Sequence, residues 1–469
     1  SDPMERAMQQ SAATIPLIFI FCGSLACTAE PEGLDEDADG HFVPDDCDDG
    51  NAWVYPGSHA TEIPFDGTDQ DCDGLDFCTD LNCDAFPDLV VTNQYDSSSL
   101  PVTSSYVYYG SDDGYGPDNR EEFTTKGATA SEIVDLNGDG YLDLVFANSS
   151  DGDQADVSSG IYWGSYSGFS ASDVSWLETE GAHHVLADDM NGDGFVDLIF
   201  SNYTDGDGTS ERNYDLLSTV YWGADGGFTE DNSARLSTLG ASHAAVGDFD
   251  GDTRTDVAFA HGYLTTTSNV YLNSADGLTE DNLQALTTDQ AKGVVAADLN
   301  EDGFTDLVYA NFCSGRECDS VVYWGSVTGL DIEASTMLPT SAATAVATAD
   351  LNKDGHLDLV FVNSMDATYN PDAESSIFWG TSSGFHWGNR TGFPTMGGSG
   401  VAIGDLDDDS WPDIIVSSLE GSEGVPSSTR IFWGSSDLFL SGAFEEIGAF
   451  AASSVSITPG HRSRADSTQ

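Results

Sequence analysis

Short apolar runs return along the chain at an even pitch. Leu144-Val145-Phe146-Ala147, Leu198-Ile199-Phe200, Leu307-Val308-Tyr309 and Leu359-Val360-Phe361 lack polar alternation, as strands buried on both faces do. After each comes a polar loop of variable length, then a second apolar cluster. That cluster reads VYYG at 107–110, IYWG at 161–164, VYWG at 220–223, VYLN at 270–273, VYWG at 322–325, and IFWG at 377–380 and 431–434. Most copies continue to a pair such as Gly168-Phe169 or Gly329-Leu330, which suits a tight turn. Upstream of each apolar run after the first lies a strand of small and β-branched residues, for example AHHVLA at 182–187. The pattern predicts about four short strands per unit, with no helix-length amphipathic segment.

An acidic loop joins the small-residue strand to the apolar run. It reads DLNCDAFPD at 80–88, DLNGDGYLD at 135–143, DMNGDGFVD at 189–197, DFDGDTRTD at 248–256, DLNEDGFTD at 298–306, DLNKDGHLD at 350–358 and DLDDDSWPD at 405–413. Successive copies start 55, 54, 59, 50, 52 and 55 residues apart. Four antiparallel strands in seven copies at that period predict an all-β fold, a seven-bladed β-propeller; a parallel β-helix would repeat at much shorter intervals. The ring also has a means of closure. The first copy lacks its small-residue strand, whereas residues 448–457 match that strand and have no acidic loop after them. This C-terminal strand is expected to complete blade one and remove the open sheet edges. Residues 80–457 divided among seven copies give 54 each.

The acidic loops, flanking strands and VYWG turns together resemble FG-GAP/VCBS repeats, the unit of the integrin α-subunit head and of many secreted bacterial proteins. The resemblance covers about 380 residues and implies an integrin α-like propeller. It constrains function less, because propellers host binding modules and enzymes alike.

Each loop places oxygen-bearing side chains at its first, third, fifth and ninth positions. They are Asp80, Asn82, Asp84 and Asp88; Asp135, Asn137, Asp139 and Asp143; Asp189, Asn191, Asp193 and Asp197; and Asp248, Asp250, Asp252 and Asp256. The later copies supply Asp298, Asn300, Asp302 and Asp306; Asp350, Asn352, Asp354 and Asp358; and Asp405, Asp407, Asp409 and Asp413. Alternate residues of a tight loop point inward, and Ca²⁺ takes six to eight oxygens. The Tyr141 carbonyl is the expected fifth ligand in the second copy, and Gly140 supplies the turn. The other reading is that the carboxylates only cap turns through Asx hydrogen bonds. Ala85, Thr253 and Ser410 stand where the other copies have the turn glycine, so occupancy of those three loops is open. Seven near-identical sites point to a structural calcium. Extracellular modules saturate at ~10⁻⁴–10⁻³ M.

Thirteen Lys and Arg against 81 Asp and Glu give a net charge of −68, which excludes nucleic acid and anionic membranes as electrostatic partners. Only 23 of the acids occupy loop ligand positions, so most of the charge belongs to a solvated surface and to the N-terminal region. There, residues 28–76 form an acidic unit with Asp35, Asp37 and Asp39 in the same spacing. It resembles a metal-binding motif found beside larger domains in secreted bacterial proteins. With few apolar residues, it would be held by a Cys47–Cys72 disulfide and bound metal; an acidic flexible stalk is the alternative. His41 and His59 raise the question of a softer metal such as copper. With Cys22 and Cys27 set aside in the apolar N-terminal segment, the remaining cysteines pair by proximity as Cys78 with Cys83 and Cys313 with Cys318, indicating an oxidising compartment.

Residues 15–26 are an apolar run too short to span a bilayer, which takes ~20 residues, and suited to a signal peptide ending near residue 27. Ser24-Leu25-Ala26-Cys27 resembles a bacterial lipobox, with Ser24 where that family has leucine. Lipid anchoring and free secretion both stay open. The expected organisation is a signal peptide over 1–27, the acidic module over 28–76, the propeller over 77–458 and a tail over 459–469.

Function is expected on the face opposite the acidic loops, where the connections between second and third strands vary in length and composition. Tyr95, Tyr203, Phe312 and Tyr369 lie in them. His184 and His243 occupy equivalent places in adjacent small-residue strands, a column otherwise read as Ala130, Gly293, Ala345, Gly400 and Ala451. No nucleophile elbow, phosphate loop or HExxH motif is present. The reading is a calcium-stabilised monomeric adhesion or ligand-capture protein at the cell surface or outside it. Its ligand would be an extracellular protein or glycan, with His184, His243, Tyr203 and Tyr369 as candidate contacts and no catalytic residue. A lectin, or a secreted polysaccharide lyase or hydrolase, is the alternative.

Overall fold

The computed structural model describes residues 51, 54, 72, 78–95, 104–152, 155–205, 213–314, 317–366, 368–371, 373–419, 428–439, 442–448 and 451–458. Residues 1–27, expected to be a signal peptide, the Asp35, Asp37 and Asp39 cluster, Cys47 and the tail from residue 459 lie outside them. Cys72 is disulfide-bonded. Cys78 pairs with Cys83 and Cys313 with Cys318.

Seven four-stranded antiparallel sheets make the propeller. In blade two the strands run, from axis to rim, Ala128–Val134, Asp143–Asn148, Ser159–Tyr162 and Val174–Leu177. Every residue of Asp143–Asn148 is buried, in line with its unbroken apolar pattern. Blade one closes as expected. Ala452–Ile457 pairs antiparallel with Leu89–Asn93, and Thr458 clamps Asp88 by accepting its N–H at 2.8 Å and donating its own N–H to the Asp88 carbonyl at 3.1 Å.

The innermost strands pack against one another around the axis. Small residues dominate them because the strands converge there. The larger apolar side chains fill the wedges between blades: seven hydrophobic clusters among the described residues each join two neighbouring blades. The cluster that holds Val455 and Ala452 against Ile415 and Ile431 is the seam between the last blade and the first.

Two backbone features recur in every blade. The residue before each innermost strand adopts a left-handed conformation: Gly127, Gly181, Gly240, Gln290, Ala342, Gly397 and Ala451, with φ between 45° and 57°. Two residues later the pairing slips by one, as between Ala128 and Ala130. The bulged residues are Thr129, His183, Ser242, Lys292, Thr344, Ser399 and Ser453. A bulge re-aims its side chain. Five of these hydroxyls donate to the next blade: Thr129 to Ala182, Ser242 to Ala291, Thr344 to Gly398, Ser399 to Ala452 and Ser453 to Ala128. His183 makes the link through its Nδ1 to the Ser242 carbonyl at 3.1 Å, and Lys292 interrupts the ring.

Candidate functional site

The acidic loop and the VYWG turn are one device. Asp143, at the ninth loop position, is fully buried. Its Oδ2 accepts the Leu136 N–H at 3.0 Å and its Oδ1 accepts the Gly164 N–H at 2.7 Å. The same pair of bonds forms at Asp88, Asp197, Asp256, Asp306, Asp358 and Asp413. The close approach explains the glycine, because a Cβ on Gly164 would stand 2.3 Å from the Leu142 carbonyl oxygen. In the fourth copy Asn273 keeps the N–H bond to Asp256 at 2.6 Å, and its amide donates to the Met190 and Thr255 carbonyls.

The earlier loop positions cap the turn. Asp135 Oδ1 accepts from Gly138 N–H at 2.8 Å and its Oδ2 from Gly140 N–H at 2.9 Å. Asp139 accepts the Tyr141 N–H at 3.0 Å and the Asn137 amide at 3.0 Å. Capping leaves further lone pairs on each carboxylate, so it does not compete outright with a cation. Burial first, and the neighbouring Asp139 and Asp135 carboxylates in addition, push Asp143 up to about 7 against the pull of its two N–H donors. Asp256 and Asp413 also rise to about 7, with burial as the main cause.

Three carboxylates converge most clearly in the fourth and seventh loops. Asp248, Asp250 and Asp256 bring oxygens within 4.8 Å of one another, and Asp405, Asp407 and Asp413 do the same. Both loops lack the turn glycine, yet Thr253 and Ser410 take the left-handed backbone of Gly140, with φ of 72° and 68° against 87°. Ala85 does likewise at 67°. The missing glycine leaves the turn intact at a cost of about 1 kcal/mol or more. The four ligand positions offer only oxygens, which fits a hard divalent cation and not a softer one.

At the opposite ends of the innermost strands, the axial mouth holds a cavity of about 330 Å³. His184 and His243 line it with rings stacked at 3.6 Å between centroids and 29° between planes. His184 Nδ1 accepts the Ala244 N–H at 3.4 Å, which leaves the proton on Nε2. His243 Nδ1 lies 3.0 Å from the Ala244 carbonyl and His183 Nδ1 3.1 Å from that of Ser242, so each donates through Nδ1. Burial depresses all three imidazoles: His183 and His243 to about 4, and His184 well below its usual value.

Lys292 projects from its bulge into the same cavity. Its Nζ donates to the Tyr203 hydroxyl at 2.9 Å and sits 4.2 Å from that ring's centre. Burial lowers it to about 8. Tyr203 meets Tyr214 edge-on at 5.5 Å, and Tyr214 stacks on Tyr263 at 3.4 Å. His184 and His243 therefore come together at the cavity, whereas Tyr203 does not line it and stands behind Lys292 and against His183, at 5.0 Å between ring centroids. Tyr369, 60 % exposed, is not among the cavity-lining residues. One column assignment needs correction: Ala451 occupies the left-handed place of Gly240, and the counterpart of His243 is Ser454, because Ser454 follows the bulge at Ser453.

Four overlapping segments, 135–200, 189–259, 248–309 and 298–361, match the family model described as "FG-GAP-like repeat". The chain carries FG-GAP-like repeats. Residues 46–76 match a second model, described as "Putative metal-binding motif". Among solved structures, a protein from Lactobacillus plantarum is 16 % identical, with 79 % of this chain and 99 % of that one covered and a TM-score of 0.45. A "putative 6-phosphogluconolactonase" from Bacteroides uniformis is 10 % identical, with 80 % and 99 % covered and a TM-score of 0.48. No curated protein matches significantly.

The matched segments span loops two to six of the FG-GAP propeller, and the same loop–turn bonds recur in blades one and seven. His183 and Lys292 were not singled out from sequence. Aligning the bulged column, where the other five copies are Ser or Thr, would have exposed them. Among the described residues, no helix is long and apolar enough to cross a membrane.

Proposed function

We propose that this FG-GAP propeller is a calcium-stabilised capture module, working at the cell surface or outside it, that binds an extracellular protein or glycan at its axial mouth without turnover. The supporting observation is the division between its two ends. One end repeats a nearly invariant oxygen-rich hairpin in every blade. The other recesses His184, His243 and Lys292 around a cavity of about 330 Å³, the size of small-ligand sites, with Tyr203 behind the lysine. Oxygen-only loop positions favour calcium, and the proximal cysteine pairs Cys78–Cys83 and Cys313–Cys318 suit an oxidising compartment. Stacked imidazoles present flat apolar faces and a donor edge, which suits recognition of a ring.

Glycan- and protein-array binding by the calcium-loaded full chain tests this. Capture lost in His184→Ala/His243→Ala with an unchanged melting temperature supports the reading, whereas unaltered capture by that variant contradicts it. The second reading is polymer cleavage, which draws on the same imidazoles beside the Lys292–Tyr203 pair. Multiple-turnover cleavage of an acidic polysaccharide, abolished by His184→Ala in a folded protein, would replace capture with catalysis.

A further inference from the structure

We infer that the axial mouth holds a small hydroxylated carboxylate, a sugar acid or hydroxy acid, with its negative group seated on the Lys292 ammonium. The inference rests on the reading of this mouth as the capture site. Its starting point is a charge that is out of place. The chain has 13 basic residues against 81 acidic ones, yet Lys292 has no carboxylate within 4.0 Å among the described residues. It is placed by a bulge where five of seven blades use Ser or Thr, and so spends a rare cation where a hydroxyl serves the fold. Lys292 is half-buried in the mouth, and a partly desolvated ammonium without a counter-ion is unfavourable. Its described partners are the Tyr203 hydroxyl and the rings of Tyr203 and Phe312 at 4.2 and 5.9 Å. These orient the amine and leave it a full positive charge to satisfy.

The neighbouring groups narrow the ligand. His184 keeps its proton on Nε2 and is a donor, whereas His183 and His243 spend their Nδ1 protons on carbonyls and are acceptors at Nε2. A bare anion offers nothing to those acceptors; a ligand that also carries hydroxyls does. A metal ion fits poorly. His184 and His243 lie face to face, so their lone pairs do not converge, and the ammonium would repel a cation. The three-carboxylate clusters among the described residues lie in the loops at the other end.

Titration calorimetry on the full chain in calcium tests the assignment, with sodium galacturonate, sodium lactate, galactose and sodium sulfate as separate probes. Galacturonate should bind, alone if a sugar acid is required and with lactate if the hydroxy acid group suffices. Galactose and sulfate should be weaker by roughly tenfold or more, the worth of one charged hydrogen bond. Lys292→Met should cost galacturonate a similar factor without lowering the melting temperature, and Lys292→Arg should restore much of it. Equal binding of galacturonate by folded Lys292→Met, equal binding of galactose or sulfate, or no binding of either carboxylate overturns the inference. Array capture that persists in Lys292→Met would overturn it while leaving the capture reading intact.

Discussion

The Tyr162 hydroxyl donates to the Thr124 carbonyl of the preceding blade at 2.6 Å. The tyrosine of each VYWG-type turn makes this bond across a blade boundary: Tyr221 to Glu178, Tyr271 to Ser237, Tyr323 to Thr287 and, across the seam, Tyr108 to Gly448. Blades six and seven have Phe378 and Phe432 in this place. There Arg390 donates to the Pro339 carbonyl at 3.0 Å and Arg430 to that of Pro394 at 3.4 Å. An arginine therefore supplies the inter-blade bond where the phenol is missing. Tyr162→Phe should destabilise by about 1 kcal/mol, the net worth of one hydrogen bond. Arg390→Met should cost at least as much, because its blade has no phenol to fall back on. Urea denaturation of both variants checks this, and a neutral Arg390→Met would break the equivalence.

Asp143 and Asp139 stand four residues apart and should fail differently. Asp143→Asn gives up an acceptor for one of two buried N–H groups, a loss of about 1–3 kcal/mol. That loss should persist in EDTA, because the two N–H groups stay buried without calcium. If the second loop holds calcium as proposed, Asp139→Ala removes a ligand from an exposed position, so its cost should appear in calcium and shrink in EDTA. Melting curves of both variants under both conditions separate the two roles.

The terminal strand tests the closure. Removing residues 447–469 takes away Ala452–Ile457, the Thr458 clamp on Asp88 and the seam cluster built on Val455. Aggregation or loss of cooperative unfolding should follow, whereas removing 459–469 should leave the melting temperature within a degree or so of the intact chain. A well-folded product of the longer deletion would count against the clasp.

Lys292 gives a pH signature. Burial lowers it from 10.5 to about 8, so between those values the unfolded chain binds more protons than the folded one. Stability should therefore rise with pH across about 8 to 10.5, relative to Lys292→Met. His183 and His243, lowered from 6.5 to about 4, act in the same direction in acid. Stability falls as pH drops from 6.5 towards 4, and their replacement by Gln should flatten that limb. His184, Lys292 and Tyr203 face them and are kept in both proteins compared.

The blade was legible because each of its strands carries a local signal: an unbroken apolar run, a turn glycine, a column of small residues. Closure was legible because residues 448–457 repeat that column without the loop after it. The inter-blade bonds were not. Tyr162 and Thr124 are 38 residues apart, and Arg390 and Pro339 51 apart; only the packing angle between blades brings them into reach. The candidate site was half legible for the same reason. His184 and His243 stand out in a column of small residues, whereas His183 and Lys292 sit in the neighbouring column of Ser and Thr, whose exposure to the axial mouth only the bulge decides.

The central claim is that the acidic hairpins hold calcium and that the propeller depends on it. The direct measurement is the melting temperature of the full chain in millimolar calcium and again after exhaustive chelation. A fall of many degrees on chelation, reversed by calcium, is the predicted result, because the converging carboxylates of Asp248, Asp250 and Asp256 and their counterparts would otherwise repel. The same melting temperature in both conditions would contradict the account.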